Sequence, residues 1–155
     1  MAINPILPLR GIQTVTAIVV LGLTGYVSNW WLGYWHAMAP TQINFLIFCS
    51  IWSNVALVYL ILAPAKFPAA AHKYAILAVE SVTMLFWFAG FVALAVFLGN
   101  RVCLGHVCSV AKGATGVAAV SWALFAATTV MAALHCWRTS RHDPNNGPHQ
   151  RMQEV

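Results

Sequence analysis

The chain has 155 residues, of which 61% are hydrophobic and only 7% are charged. A soluble domain carries about 25% charged residues, so this composition excludes an ordinary water-soluble globular protein. The formal net charge is +5, but the basic residues are spread along the chain. This spacing lacks the clustered basic patch of a nucleic-acid-binding protein, and we expect no nucleic-acid partner.

Four apolar segments follow one another along the chain. No charged side chain lies between Arg10 and Lys66, and the two later segments contain only one, Glu80. A hydrocarbon core about 30 Å thick needs roughly 20 apolar helical residues per crossing. The runs are continuous, unlike the alternating pattern of barrel strands. We therefore predict transmembrane helices over residues 11–31, 43–62, 74–98 and 113–137, with Pro64 as a natural stop after the second.

The basic residues of the short loops predict the orientation, because Lys and Arg concentrate on the cytoplasmic side. One side holds Arg10, Lys66, Lys73, Arg138, Arg141 and Arg151, and the other holds Arg101 and Lys112. The predicted fold is an all-α antiparallel bundle of four transmembrane helices with both termini in the cytoplasm. Residues 1–10 form a short cytoplasmic N-terminus, and the polar residues 138–155 form a disordered cytoplasmic tail.

Glu80 lies about six residues inside the third span, or roughly 9 Å below the cytoplasmic interface. Intramembrane acids are costly, and they usually face the bundle interior or pair with another group. The polar residues at similar depth on the other spans are Gln13, Thr16, Asn54, Thr128 and Thr129. We predict that they form a polar layer around Glu80, and Lys73 is a further candidate partner.

Two functions for Glu80 follow from this placement. It is either a structural acid that fixes helix packing, or a site for a proton, a cation or a lipid headgroup. The structural role is favoured, because a transport path usually contains more than one intramembrane ionisable group.

The cysteines suggest two modifications. Cys103 and Cys108 lie in the second outer loop, and on the oxidising side of a membrane such a pair predicts a disulfide. The alternatives are free thiols or a metal site with His106, which lacks a fourth ligand; we expect no metal and no cofactor. Cys136 lies at the cytoplasmic end of span four and is a candidate for palmitoylation, the alternative being an unmodified interfacial cysteine.

Small residues on the spans indicate where helices approach each other closely. They are Gly22 and Gly25 on span one, Ala89 and Ala93 on span three, and Ala119, Ala123 and Ala127 on span four. We expect most of these contacts inside the bundle, with one face available for a homo-oligomer. Trp52, Trp87 and Trp122 lie in mid-span and are interpreted as packing residues.

Several short segments together match the pattern of a known group of four-span membrane proteins. Leu9-Arg10-Gly11-Ile12-Gln13 opens span one as in many of these proteins, and Leu21-Gly22-Leu23 with Tyr26 continues the pattern. Ala63-Pro64 and Phe67-Pro68 lie in the inner loop. Glu80 with the segment 86–91 is similar to the span-three signature, and the outer cysteine pair also fits. On these segments the chain resembles the fungal MARVEL-domain proteins, and the resemblance covers roughly residues 5 to 138.

This resemblance implies a membrane-organising protein with no catalytic residues. Such proteins are associated with membrane apposition, vesicle trafficking and lateral membrane domains, and fungal members with sphingolipid-responsive compartments. We therefore expect a non-enzymatic protein of the plasma membrane, or alternatively of vesicular or other internal membranes. Its expected partners are membrane lipids, such as sphingolipid or sterol, and further copies of itself. The alternative function is a small transporter or channel subunit that uses Glu80.

Overall fold

The computed structural model describes residues 6–66, 73–100 and 105–141. These residues form four α-helices, which are α1 (Ile6–Trp35), α2 (Thr41–Lys66), α3 (Lys73–Gly99) and α4 (His106–Arg141). No strand occurs within these ranges. Each helix is long enough and apolar enough to cross a membrane. The prediction of an all-α protein with four membrane-spanning helices is therefore confirmed.

Each helix contains its predicted span and extends beyond it at both ends. α1 already begins at Ile6, and α4 runs from His106 to Arg141, so residues 138–141 of the predicted disordered tail are helical; residues 142–155 lie outside the described residues. α2 continues past Pro64, where the sequence predicted a stop. The spans were delimited by apolar side chains, whereas a helix continues wherever its backbone groups can still pair.

The helix ends agree with local backbone chemistry. After α1, His36 has a φ of 46°, and Gly105 has a φ of 104° just before α4. This left-handed conformation is how many helices end and how tight connections reverse the chain. Only five residues separate α1 from α2, so these helices must run antiparallel.

The helices pack as a ring, in which α1 contacts α2, α2 contacts α3, α3 contacts α4, and α4 contacts α1. Among the described residues, the backbones of the diagonal pairs, α1 with α3 and α2 with α4, do not approach each other. In this antiparallel arrangement α1 and α3 run in the same direction. Their first turns therefore lie at the same end of the bundle, which we call the inner end.

Apolar side chains from all four helices fill the centre of the ring. The largest fully buried ones are Trp87, Phe125, Ile43, Leu46, Leu57 and Leu94. Many other large apolar side chains point outward, among them Val15, Val55, Leu85 and Val130. Lipid solvates such side chains as well as a protein core does, so an apolar exterior is the expected surface of a bundle in a bilayer.

Aromatic contacts mark the register of α3 against α4. The Trp122 ring lies 5.7 Å from the Phe88 ring and 5.8 Å from the Phe91 ring, between centroids. Phe88 and Phe91 also contact each other at 5.6 Å with perpendicular planes. This cluster sets residues 88–91 of α3 level with Trp122 of α4.

Gly90 lies at a close contact between α2 and α3. A Cβ atom built at this position would lie 2.7 Å from the Leu46 Cδ2 atom, a side chain that is itself fully buried. Gly25 of α1 contrasts with it, because a Cβ atom there would meet nothing within 4 Å. Of the two, only Gly90 is needed for internal packing.

We expect Gly90→Ala to lower the free energy of unfolding by about 1–3 kcal/mol, because the added methyl group overpacks a filled seam. The matched control, Gly25→Ala, should be neutral or slightly stabilising, since alanine is the better helix former. Thermal unfolding in detergent, followed by tryptophan fluorescence, measures both. Adding Leu46→Val should recover part of the loss, and a Gly90→Ala variant as stable as Gly25→Ala would contradict this packing.

Candidate functional site

Arg10 and Glu80 form a buried ion pair at the inner end of the bundle. Arg10 Nη2 donates to Glu80 Oε1, and the two side chains are only 7% and 1% exposed. Arg10 lies in the second turn of α1 and Glu80 about two turns into α3. Because α1 and α3 are diagonal to each other and have no backbone contact, the pair crosses the interior of the ring.

Gln13 extends this pair to the fourth helix. Arg10 Nη1 donates to Gln13 Oε1 at 3.1 Å, one turn further along α1. Gln13 Nε2 in turn donates to Thr128 Oγ1 of α4 at 3.2 Å. The result is one chain of hydrogen bonds from Glu80 through Arg10 and Gln13 to Thr128, which we call the inner network. It joins α3, α1 and α4.

The structure brings only part of the predicted polar layer together. Glu80, Gln13 and Thr128 belong to the inner network, whereas Thr16 donates to the Gln13 carbonyl at 3.1 Å. Asn54 Nδ2 donates to the Ser50 carbonyl of its own helix at 2.8 Å. Thr129 lies next to Thr128, but its buried hydroxyl has no partner among the described residues. The side chain of Lys73 is outside what the structure describes.

Sequence reasoning missed Arg10 as the partner of Glu80. Arg10 was counted among the loop residues that set the orientation, although it lies inside α1. The signal that could have identified it is its spacing from Gln13, because residues three apart share a helix face. A basic residue on the face that also carries a buried glutamine is positioned to enter the bundle.

The ion pair changes what Glu80 can do. A lone carboxylate in the membrane would carry a full uncompensated charge, whereas this one is neutralised by the guanidinium at contact distance. Buried charges that pair and hydrogen-bond commonly specify one arrangement of helices. The arrangement therefore favours the structural role of Glu80 over a proton or cation site.

A second set of polar contacts joins α2 to α3. Trp87 Nε1 of α3 donates to Ser53 Oγ of α2 at 2.8 Å, and Trp52 Nε1 of α2 donates to Thr83 Oγ1 of α3 at 3.1 Å. Each helix thus supplies one indole donor and one hydroxyl acceptor. Trp52 and Trp87 were interpreted from the sequence as packing residues, and the structure adds this hydrogen-bonding role.

The cysteine predictions remain untested. Cys103 lies outside the described residues and Cys108 lies in the first turn of α4, so the disulfide stays a prediction. Cys136 is 8% exposed, and its palmitoylation stays a prediction that requires the thiol to become accessible. Within the described residues no group of three or more His, Cys, Asp or Glu could hold a metal ion.

We expect Glu80→Gln to lower the free energy of unfolding by about 3–5 kcal/mol, because Arg10 would remain as an uncompensated buried charge. Replacing both partners, with Arg10→Met and Glu80→Leu, should restore most of the stability, since a well-packed apolar pair often equals a buried ion pair. Chemical unfolding in lipid nanodiscs measures the free energy of unfolding of the unchanged protein, of Glu80→Gln and of the double variant.

Arg138→Gln is the control for this experiment, because it removes an exposed positive charge from α4 and should change stability little. Equal stability of Glu80→Gln and the unchanged protein would show that the pair does not hold the inner end together.

Comparison with known proteins assigns the chain to a family. The MARVEL family, described as a membrane-associating domain, matches residues 2–131. No curated protein matches the chain, and no solved structure matches it either. The matched range includes α1, α2, α3 and most of α4. With this match and its four membrane-spanning helices, the chain belongs to the MARVEL family of membrane-associating proteins.

Proposed function

We propose that this integral membrane protein is a non-enzymatic organiser of lateral membrane domains or of membrane trafficking. It acts through helix–helix and helix–lipid packing. One observation carries the proposal: the charged and hydrogen-bonded groups of the inner network are turned inward, while the exterior is apolar. The outer faces of the helices are therefore the surface that a membrane partner meets.

Small residues on those outer faces support association between helices of different molecules. A Cβ atom at Gly22, Gly113 or Gly116 would meet nothing within 4 Å. Ala123 and Ala127 of α4 are likewise exposed, although the sequence suggested that such residues pack mostly inside. Small residues allow close backbone approach in lipid, and the bundle itself does not use these.

The partners in this proposal are membrane lipids and further copies of the protein. Sphingolipid and sterol order the bilayer around them, so a rigid bundle with an apolar exterior can partition with them. The proposed location is the plasma membrane, with vesicular or other internal membranes as the alternative. Transport through a Glu80 pathway receives no support from the ion pair, because Arg10 already neutralises the carboxylate.

We expect labelled copies of the protein to show energy transfer in bilayers that contain sphingolipid and sterol. Ala123→Leu combined with Ala127→Leu should reduce this transfer several-fold, because the larger side chains hold neighbouring backbones apart. Fluorescence energy transfer in vesicles, together with lateral diffusion in supported bilayers, measures the association.

The matched control is Val55→Leu with Val58→Leu, which enlarges two exposed side chains of α2 that are not small to begin with. This pair should leave the energy transfer unchanged. If the unchanged protein diffuses as a monomer at the same rate with and without sphingolipid and sterol, that result would count against the proposed role.

A further inference from the structure

Two buried oxygen atoms of the described residues have no hydrogen-bond partner, namely Glu80 Oε2 and Thr129 Oγ1. Buried polar atoms are nearly always satisfied, because leaving one without a partner costs the full desolvation of that group. The two atoms come from different helices, α3 and α4. If they lie close together, one bound group can form hydrogen bonds with both.

Thr129 differs from the other threonines in the helix interiors. Among the described side chains, each of the others donates its hydroxyl to a carbonyl three or four residues earlier in its own helix; they are Thr14, Thr16, Thr24, Thr83, Thr115 and Thr128. This local bond is the usual way in which a threonine hydroxyl is satisfied inside a helix. The Thr129 hydroxyl makes no such bond, so it is available to a group outside its own helix.

The register of α3 against α4 places Thr129 close to the level of Glu80. Trp122 packs on Phe88 and Phe91, and Thr129 follows Trp122 by seven residues, which is two turns along nearly the same face. In an antiparallel pair, two turns from residues 88–91 lead back to residues 81–84 of α3. Thr129 therefore lies on the α3-facing side of α4, within about one helical turn of Glu80.

The inner network also connects Glu80 to this part of α4. It runs from Glu80 Oε1 through Arg10 and Gln13 to Thr128, the residue next to Thr129. Glu80 thus has one bonded and one unsatisfied oxygen at one end of this chain, and Thr129 follows directly after Thr128, the residue at its other end. One further hydrogen-bonding group between Glu80 Oε2 and Thr129 Oγ1 would link α3 directly to α4.

The geometry points to a binding site for a single hydroxyl group between Glu80 Oε2 and Thr129 Oγ1. The carboxylate beside Arg10 only accepts hydrogen bonds, and the threonine hydroxyl can donate one. An O–H group satisfies both, because it donates to Glu80 and accepts from Thr129. Water and a lipid alcohol at the inner leaflet share this chemistry. The site does not depend on the proposed organising function.

The direction in which one substitution changes the thermal stability tests this site. With no bound hydroxyl, Thr129→Val exchanges an unsatisfied buried hydroxyl for a methyl group, and the protein should be as stable or more stable. With a bound hydroxyl, Thr129→Val should lower the midpoint of thermal unfolding by about 2–4 °C, the shift that a lost hydrogen bond causes in a protein of this size. Thr129→Ser keeps the hydroxyl and should retain most of the midpoint.

Thr115→Val is the matched control. Thr115 lies fourteen residues before Thr129 on nearly the same face of α4, and its hydroxyl is satisfied by the Ala111 carbonyl at 2.9 Å. Its replacement removes a hydroxyl of the same kind without affecting the site, and the Ala111 carbonyl keeps its helical N–H partner, so no buried group is left without a hydrogen bond. We expect the midpoint of thermal unfolding of Thr115→Val to stay near that of the unchanged protein, whereas the midpoint of Thr129→Val should fall.

Two further measurements identify the source of the hydroxyl. Infrared spectra in H₂¹⁸O against H₂¹⁶O should show an isotope-sensitive O–H band that Thr129→Val loses, if the source is water. If the source is a lipid alcohol, diacylglycerol in phosphatidylcholine nanodiscs should raise the midpoint of the unchanged protein and of Thr129→Ser, but not of Thr129→Val. Acetylated diacylglycerol, which has no free hydroxyl, should have no effect.

Either response supports the site. A Thr129→Val variant that is as stable as the unchanged protein would overturn it. A fall in midpoint with neither an isotope-sensitive band nor a diacylglycerol response would also overturn it, because the Thr129 hydroxyl would then be bound to a protein group.

Discussion

A charge pair that cannot be separated inside the membrane organises the inner end of this bundle. Arg10 and Glu80 belong to diagonal helices whose backbones do not approach each other within the described residues, so this pair links the two helices across the interior of the ring. In a low-dielectric interior an unpaired charge costs several kcal/mol. The positions of α1 and α3 are thereby coupled, and Gln13 transmits the coupling to Thr128 on α4.

Helix packing elsewhere relies on short-range complementarity. Lipid tails are as apolar as leucine, so burial of apolar surface does little to select one helix arrangement over another. Here α2 and α3 are matched by the reciprocal pairs of Trp87 with Ser53 and Trp52 with Thr83. The close contact at Gly90 belongs to the same pair of helices, and the aromatic cluster around Trp122 fixes the register of α3 against α4. Specific hydrogen bonds and steric fit together select the helix arrangement, a role that the hydrophobic effect has in a soluble core.

Because the polar contacts lie inside the bundle, the exterior is available to contact lipid. The polar side chains of the inner network and of the α2–α3 hydrogen bonds lie inside the bundle, and the outward faces carry large apolar side chains with small residues between them. A bundle of this kind can interact with lipid and with neighbouring helices without rearranging its own core. Such a surface suits a protein whose proposed role is to organise its surroundings in the membrane.

The sequence alone determined the class of protein, the number of helices and their approximate positions. Long runs without charge indicate membrane spans, in which every backbone group must be paired within the protein. Because the apolar residues are continuous and do not alternate with polar ones, the spans are helices and not barrel strands. The MARVEL resemblance followed from the same segments. The burial of Glu80 at the inner end could also be anticipated, since an acid within a span is too costly to face lipid.

Only the tertiary structure decided which groups meet. Arg10 had two possible places, the interface and the bundle interior, and its neighbours along the chain do not distinguish them. Asn54 and Thr16 were predicted at a depth similar to that of Glu80, but their side chains bond to carbonyl groups of their own helices. The position of a residue along an apolar run indicates its depth in the membrane. The rotation of the helix follows from the periodicity of polar and apolar residues, which is weak when a helix is apolar on all sides. Partner choice therefore depended on how the four helices are turned against each other.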